Sequence, residues 1–358
     1  MAFITLSKSS LKNNYQFLQE LFVQNNIQWA PVLKMLCGNE KYLDYVLSLG
    51  SEQVCDARLS NLKMIKKLAR HKETIYIKPP AKKVIRDIVE YADVSFNTEY
   101  STLKWLSKEA VNQNKTHRVI VMIELGDLRE GIMGENLMSF YQKVFELPNI
   151  EVAGIGANLN CLSGIMPSKD KLIQLCLYEQ LIEAKFGKKI AGVSGGSSVM
   201  IPLLMKNLVP KGINHFRVGE TLFFGIDLFE NTTIKGMKDD VFMLHTEIIE
   251  ITEKPAVPYG NLDSNPSGEI FEIDTDEYGT TQRRAILDIG LLDISKIDYI
   301  TAIDSNLNFI GASSDMLVVD ISDAQNEYKV GDIVVFKMNY MGALAVMNSN
   351  YIEKRLVD

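Results

Sequence analysis

Lys34 closes the apolar run Trp29-Ala30-Pro31-Val32-Leu33. A short apolar run reads as a buried strand. A lysine at its end has an apolar wall behind it, which lowers an amine's pKa and makes it a nucleophile or a base. Arg129, Asn158 and Arg217 stand at the ends of three further strand-like runs. Between another run and the helix after it lies Ser194-Gly195-Gly196-Ser197-Ser198. Glycines let backbone N–H groups approach an anion, and a helix start favours negative charge. A plain Gly/Ser turn with a helix cap would look the same. One lysine, an anion loop and arginines on one face suit pyridoxal phosphate. The lysine would hold it covalently, the loop would bind its phosphate, and an arginine would face its ring nitrogen.

These residues need a scaffold that collects strand ends on one face. Strands are expected over 29–34, 53–55, 74–78, 93–96, 118–124, 152–158, 189–193 and 215–218. Helical spacing of apolar residues places helices over 8–25, 39–49, 58–70, 81–91, 98–113, 135–146, 168–186 and 198–207. Eight strands alternating with helices over roughly 220 residues form the pattern of a (β/α)8 TIM barrel. Beyond about residue 240 the helical period gives way to strand-like runs at 243–251, 284–289, 316–321 and 332–338, with turn-rich stretches such as Asn261 to Gly268. The fold class is α/β: a barrel over residues 1–238 plus a C-terminal all-β domain over 239–358, with residues 1–8 a candidate to pair with the latter.

With 358 residues, 46% hydrophobic and 23% charged, the chain is ordinary for a globular protein, and a net charge of −7 argues against a nucleic-acid partner. No run is long enough for a membrane span. Cys37, Cys55, Cys161 and Cys176 are scattered without a C-x-x-C pair, which fits reduced thiols and a cytoplasmic location. His71, His117, His215 and His245 are too dispersed for a metal motif and read as surface or core histidines.

Six segments in order carry a resemblance. They are Ala30-Pro31-Val32-Leu33-Lys34, Glu124 to Gly131, Val193 to Ser198, Asn214 to Glu220, Gly311 to Asp315, and Met338-Asn339-Tyr340. Together they make the chain resemble the alanine-racemase-like family of pyridoxal-phosphate enzymes, and within it the ornithine racemase-type branch. The resemblance implies a racemase of a free amino acid, acting as a homodimer with shared active sites. It implies that Lys34 anchors the cofactor and acts as one base, and that Arg217 pairs with the ring nitrogen. An arginine keeps its proton, so that nitrogen stays unprotonated. Ser194, Ser198 and Gly219 would bind phosphate, and Tyr340 would close over it. Asn158 would lie against the cofactor, and Arg129 near its phenolic oxygen and the substrate carboxylate. A surface ion pair is the bland reading of Arg129. The second base would be a tyrosine of the partner subunit. Tyr259 fits best and Tyr278 competes.

The sequence also departs from the alanine enzymes of that family. Met35-Leu36-Cys37-Gly38-Asn39 follows the lysine where a tyrosine is usual, Asn158 replaces a histidine, and Asp315 follows Ser313-Ser314 without a methionine. The lost bulk favours a substrate larger than alanine, such as ornithine or another basic amino acid. Asp315 could meet its terminal amine, or could simply cap a loop. The alternatives are an alanine or serine racemase and a non-racemising carrier of the cofactor.

Overall fold

The computed structural model describes residues 2–264, 270 and 272–358. Residues 265–268 of the turn-rich stretch lie outside the described residues. The chain divides into two compact units. One comprises Ser7–Val241 with Asp358, and the other comprises the residues through Leu6 together with Phe242–Val357.

β1 (Phe3–Ser7) runs straight into α1 (Lys8–Gln24), whose start is capped by the Ser7 hydroxyl accepting from Ser10 N–H. The larger unit then alternates β2 (Gln28–Pro31), α2 (Glu40–Ser48), β3 (Gln53–Asp56), α3 (Leu59–Leu68), β4 (Glu73–Tyr76), α4 (Ile85–Tyr91), β5 (Val94–Asn97), α5 (Tyr100–Asn112), β6 (His117–Met122), α6 (Leu137–Val144), β7 (Ile150–Gly156), α7 (Lys169–Phe186), β8 (Gly192–Ser194), α8 (Ile201–Met205), β9 (His215–Val218) and α9 (Glu220–Phe224). The eight strands β2 to β9 form one parallel sheet in the order β2-β9-β8-β7-β6-β5-β4-β3. A parallel bridge between Val32 and Cys55 draws the two end strands together. The result is a nearly closed (β/α)8 barrel.

Ala30, Val32, Cys55, Ile75, Val94, Phe96, Ile120 and Met122 form one buried cluster contributed by the barrel strands. Fully burying a large apolar side chain contributes about 1.5–3 kcal/mol. This core makes a rigid floor on which strand-end side chains can be aimed.

After the small ladder of β10 (Ile226–Asp227) and β11 (Thr232–Thr233), the texture changes. β12 (Phe242–Pro255) buries Phe242, Leu244, Thr246 and Ile248 in strict alternation. With β13 (Thr281–Leu287), β14 (Ile300–Ala302), β15 (Asn308–Ala312), β16 (Leu317–Asp320), β17 (Ile333–Met338) and β18 (Glu353–Val357) it builds an eight-stranded sheet. Its order is β14-β17-β12-β13-β16-β15, and β1 joins β12 and β18. The registers along the main path are antiparallel. This all-β unit also carries the short α10 (Leu291–Ile294) and the nine-residue α11 (Tyr340–Asn348). Among the described residues no helix is long and apolar enough to cross a membrane.

Candidate active site

Lys34 stands just past its strand rather than on it. Pro31 ends β2 and brings no N–H to the ladder. Val32 N–H still reaches Val218 O at 2.9 Å, and Leu33 N–H then turns to Cys55 O at 2.8 Å. Residues 34–36 form a single 3-10 turn that starts at Lys34. The strand expected over 29–34 therefore ends three residues early, and the lysine is delivered to the mouth by a turn. Lys34 as a whole is exposed, yet burial at its amine lowers its pKa and the charge of Arg129 lowers it further. Cys161, Asp56 and Glu220 act in the opposite direction. Burial raises both of those carboxylates, Asp56 to about 6. Asp56 is fixed at the end of β3 by Arg58 N–H at 2.7 Å and by the Asn61 amide at 3.1 and 3.2 Å.

Arg217 comes from β9 and is buried. Every hydrogen-bond partner of its guanidinium is an acceptor. Nη1 donates to Ser194 Oγ at 2.5 Å and Ser194 O at 3.5 Å, while Nη2 donates to Ala157 O at 3.0 Å and to Asn158 Oδ1. Its guanidinium carbon lies 5.0 Å from the Phe96 ring centroid. Burial pushes its pKa down to about 10, so it remains a cation at neutral pH. Ser194 Oγ also lies 2.7 Å from His215 Nδ1. Because the hydroxyl accepts from Arg217, its own proton is available to Nδ1, which leaves the proton of neutral imidazole on Nε2. Burial holds His215 near a pKa of about 3, with Arg217 adding to the effect. His215 is thus a neutral core histidine with Nδ1 satisfied and a buried Nε2 that has no hydrogen-bond partner among the described residues.

The Gly/Ser loop leads from β8 into a 3-10 turn at 198–200 and then the five-residue α8, not into the longer helix expected over 198–207. The short α8 offers little helix dipole, so an anion at this loop would have to rely on hydroxyl and backbone donors. Ser198 Oγ accepts from Gly219 N–H at 3.3 Å and from Thr221 N–H at 3.1 Å. Both donors lie where β9 turns into α9. A Cβ at Gly219 would lie 3.1 Å from Val32 Cβ, tighter than ordinary contact, which favours glycine at this turn.

Arg129 and Glu130 sit on the loop after β6. Loop ends meet where Ile132 N–H bonds Met122 O at 2.8 Å and Glu124 N–H bonds Ile132 O at 3.1 Å. A Cβ at Gly131 would fall 2.3 Å from Glu124 N, so glycine is required for that close return. Inside the loop the Glu124 carboxylate takes Gly126 N–H at 2.5 Å and Leu128 N–H at 3.0 Å. Buried Asp127 ties a second loop to it, accepting from the N–H groups of Cys161, Leu162 and Ser163 at 3.0–3.3 Å. Arg129 pairs with Glu130, and Glu130 in turn takes Asn158 Nδ2 at 2.5 Å.

The barrel mouth thus collects Lys34, Arg129, Asn158, Ser194, Ser198, Arg217 and Gly219. Their chemistry fits pyridoxal phosphate: an amine of lowered pKa, a buried guanidinium fixed by acceptors, and a hydroxyl with backbone donors around a glycine opening. A family model described as "Alanine racemase, N-terminal domain" matches residues 6–227. The chain belongs to the alanine racemase family. Its reaction class is amino-acid racemisation. Among full-length relatives, an ornithine racemase from Acetoanaerobium sticklandii is 38% identical over 363 residues, covering 99% of each chain. A lysine racemase from Thermotoga maritima is 27% identical and covers 98% of this chain and 97% of its own. The solved alanine racemase from Bartonella henselae, which has covalently bound pyridoxal phosphate, superposes with a TM-score of 0.74 at 14% identity, covering 99% of both chains. At that identity the likeness is one of fold.

Sequence reasoning does not single out Asp56, Glu130, Asp127, Cys161, His215 or Glu220 as parts of a racemase-family site. Asp127, Glu130, His215 and Glu220 lie inside the quoted segments, but nothing in their spacing distinguishes a site residue from a solvated or core one. The other candidates belong to the all-β unit. Tyr259 and Tyr278 both lie on the connection between β12 and β13 and are 91% and 62% exposed. Asp315 is exposed at the turn joining β15 and β16 and accepts from the Ser314 hydroxyl at 2.8 Å. Tyr340 is the first residue of α11, whose N-cap Asn339 accepts from Gly342 N–H at 2.9 Å.

Proposed function

We propose that this chain is a pyridoxal-phosphate-dependent racemase of a basic amino acid, with ornithine as the first candidate and lysine as the second. The observation that carries the cofactor reading is the Arg217 cage. A buried cation whose two Nη groups are already held by four acceptors can only donate from Nε to what it faces, which suits an unprotonated ring nitrogen. When bound, the cofactor supplies the electron sink that makes the Cα–H of an amino acid acidic.

The chain's own residues do the rest. Lys34 anchors the cofactor, and its lowered pKa raises the fraction of neutral amine available to move a proton on one face of Cα. Ser198 and the N–H of Gly219 hold the phosphate, with Ser194 as a support for Arg217 and Tyr340 as a further phosphate ligand. Arg129 takes the substrate carboxylate. Tyr259 of a second copy holds or delivers the proton on the opposite face, with Tyr278 as its competitor, so the working form is a homodimer. Asp315 meets the terminal amine. The basic substrate is supported by the two full-length relatives and by the absence of a tyrosine after Lys34. Among the described residues no cysteine is in a disulfide, which supports a cytoplasmic site of action.

The test is a chiral assay of the cofactor-loaded protein over ornithine, lysine, arginine, serine and alanine. Racemisation fastest with ornithine or lysine is expected. Racemisation of alanine or serine alone would transfer the function to the alternative reading. Failure of added pyridoxal phosphate to give a protein-bound absorbance would refute the cofactor.

A further inference from the structure

Glu130 occupies a place that its position beside Arg129 does not explain. A carboxylate next to a surface arginine normally contributes little. Here the Glu130 side chain is only 16% exposed and receives three N–H groups. Oε2 accepts from Arg129 Nε. Oε1 accepts from Arg129 Nη2 at 2.7 Å and from Asn158 Nδ2 at 2.5 Å. Asn158 carries the series onward, because its Oδ1 accepts from Arg217. Arg129, Glu130, Asn158 and Arg217 therefore form one hydrogen-bonded chain across the barrel mouth. Each link joins a group that donates to one that accepts. The amide of Asn158 has one orientation in it, with oxygen toward Arg217 and nitrogen toward Glu130.

The consequence for Arg129 is directional. It is 40% exposed and its side-chain hydrogen bonds go to Glu130. Glu130 fills the Nε–Nη2 edge of the guanidinium and leaves the Nη1–Nη2 end as the edge for another carboxylate. A flexible loop arginine is thereby pre-ordered, which removes part of the entropy loss on binding. We propose that Glu130 is a positioning residue for the substrate: it holds Arg129 in the one orientation that presents its terminal edge to the amino-acid carboxylate, and it links that edge to Arg217 through Asn158. This rests on the reading of Arg129 as the carboxylate ligand.

Glu130→Gln tests it with nearly unchanged shape. Glutamine places an NH2 where the carboxylate took protons, so one of its donors must face Arg129 or Asn158. Two readouts are compared. In the cofactor-free protein, the rate of phenylglyoxal modification of Arg129, located by mass spectrometry, should rise several-fold. In the loaded protein, the amino-acid KM should rise about tenfold, as for loss of one charge-assisted hydrogen bond, with kcat changing less. The double variant Glu130→Gln/Asn158→Asp moves the carboxylate one place along the chain. Arg217 and the introduced amide NH2 can then both donate to the carboxylate at position 158, and Arg129 can donate to the introduced amide oxygen. The double variant should recover much of both effects, whereas Asn158→Asp alone sets two carboxylates together and should not. Unchanged modification and KM in Glu130→Gln, or a double variant no better than the single one, would overturn the proposal. Faster modification without a KM change would overturn the substrate role. A wild-type protein that racemises none of the amino acids refutes the underlying function instead, before any variant is made.

Discussion

Arg217 rises from a strand with four acceptors around its guanidinium, whereas Arg129 hangs from a loop with one carboxylate. The first is buried in the floor of the barrel mouth. The second lies at the rim, where water competes for it. Both are cations in one small site, yet their orientations are secured by different physics. At the floor, burial makes each unsatisfied acceptor costly, so the fold itself holds Arg217. At the rim, burial contributes little, and direction has to come from a designated partner. The floor suits a cofactor that stays bound, and the rim suits a substrate that must enter and leave.

The largest expected effect comes from removing the proposed cofactor anchor and base. Lys34→Ala should abolish the protein-bound cofactor absorbance and reduce racemisation to background, read by spectrum and chiral chromatography. Full activity in that variant would remove the floor from the chemistry. Next in size is the second proton carrier. Tyr259→Phe should keep the cofactor band and slow turnover mainly from one enantiomer, while Tyr278→Phe should leave both directions near wild type. The reverse pattern would move the role to Tyr278.

Stability separates the arginines directly. Arg217→Met leaves Ser194, Ala157 and Asn158 with lost donors and should cost about 1–3 kcal/mol or more in urea unfolding of the cofactor-free protein. Arg129→Ala, at a half-exposed pair, should cost less than Arg217→Met while raising the amino-acid KM. Equal losses would mean that rim and floor are held alike.

The smallest effect is a slope. His215 and His117 are buried with folded pKa values near about 3 and about 4, against an ordinary value of 6.5. Below pH 6.5 the unfolded chain binds their protons first, so stability falls with pH until the folded values are reached. Each contributes up to about 1.4 kcal/mol per pH unit. Asp56 acts in the opposite sense: with its folded pKa near about 6 and an ordinary value of 3.8, the folded chain takes that proton first and gains stability as pH falls through this window. The net expectation is a loss on acidification, reduced in His215→Asn. A flat profile between about pH 6.5 and 4 would contradict the buried neutral histidines.

Much of the fold can be read from the sequence because its signals are local and repeated. The run Arg118 to Met122 is β-branched and apolar, and it is a strand in the structure. Where local signals are weak, sequence and structure part. The apolar run places Lys34 on a strand, but Pro31 ends the ladder and a turn carries the lysine. The helix expected over 198–207 shrinks to residues 201–205, with Pro202 in its first turn and Asn207 at a positive φ of 54°. α11 escapes sequence reading because Met341 to Met347 is apolar on all sides and gives no period. In the site, glycine spacing and basic residues are legible. The carboxylates are not: what distinguishes Glu130 from a solvated glutamate is the return of its loop at Gly131, and only the folded backbone displays that.

The most direct measurement follows the Cα proton itself. The cofactor-loaded protein is incubated with L- or D-ornithine in D2O, and Cα–H is followed by proton NMR alongside chiral chromatography. The expected result is loss of Cα–H from both enantiomers with convergence to equal amounts of L and D, and no loss with Lys34→Ala. A protein that binds the cofactor yet exchanges no Cα proton on ornithine or lysine would contradict the proposed activity.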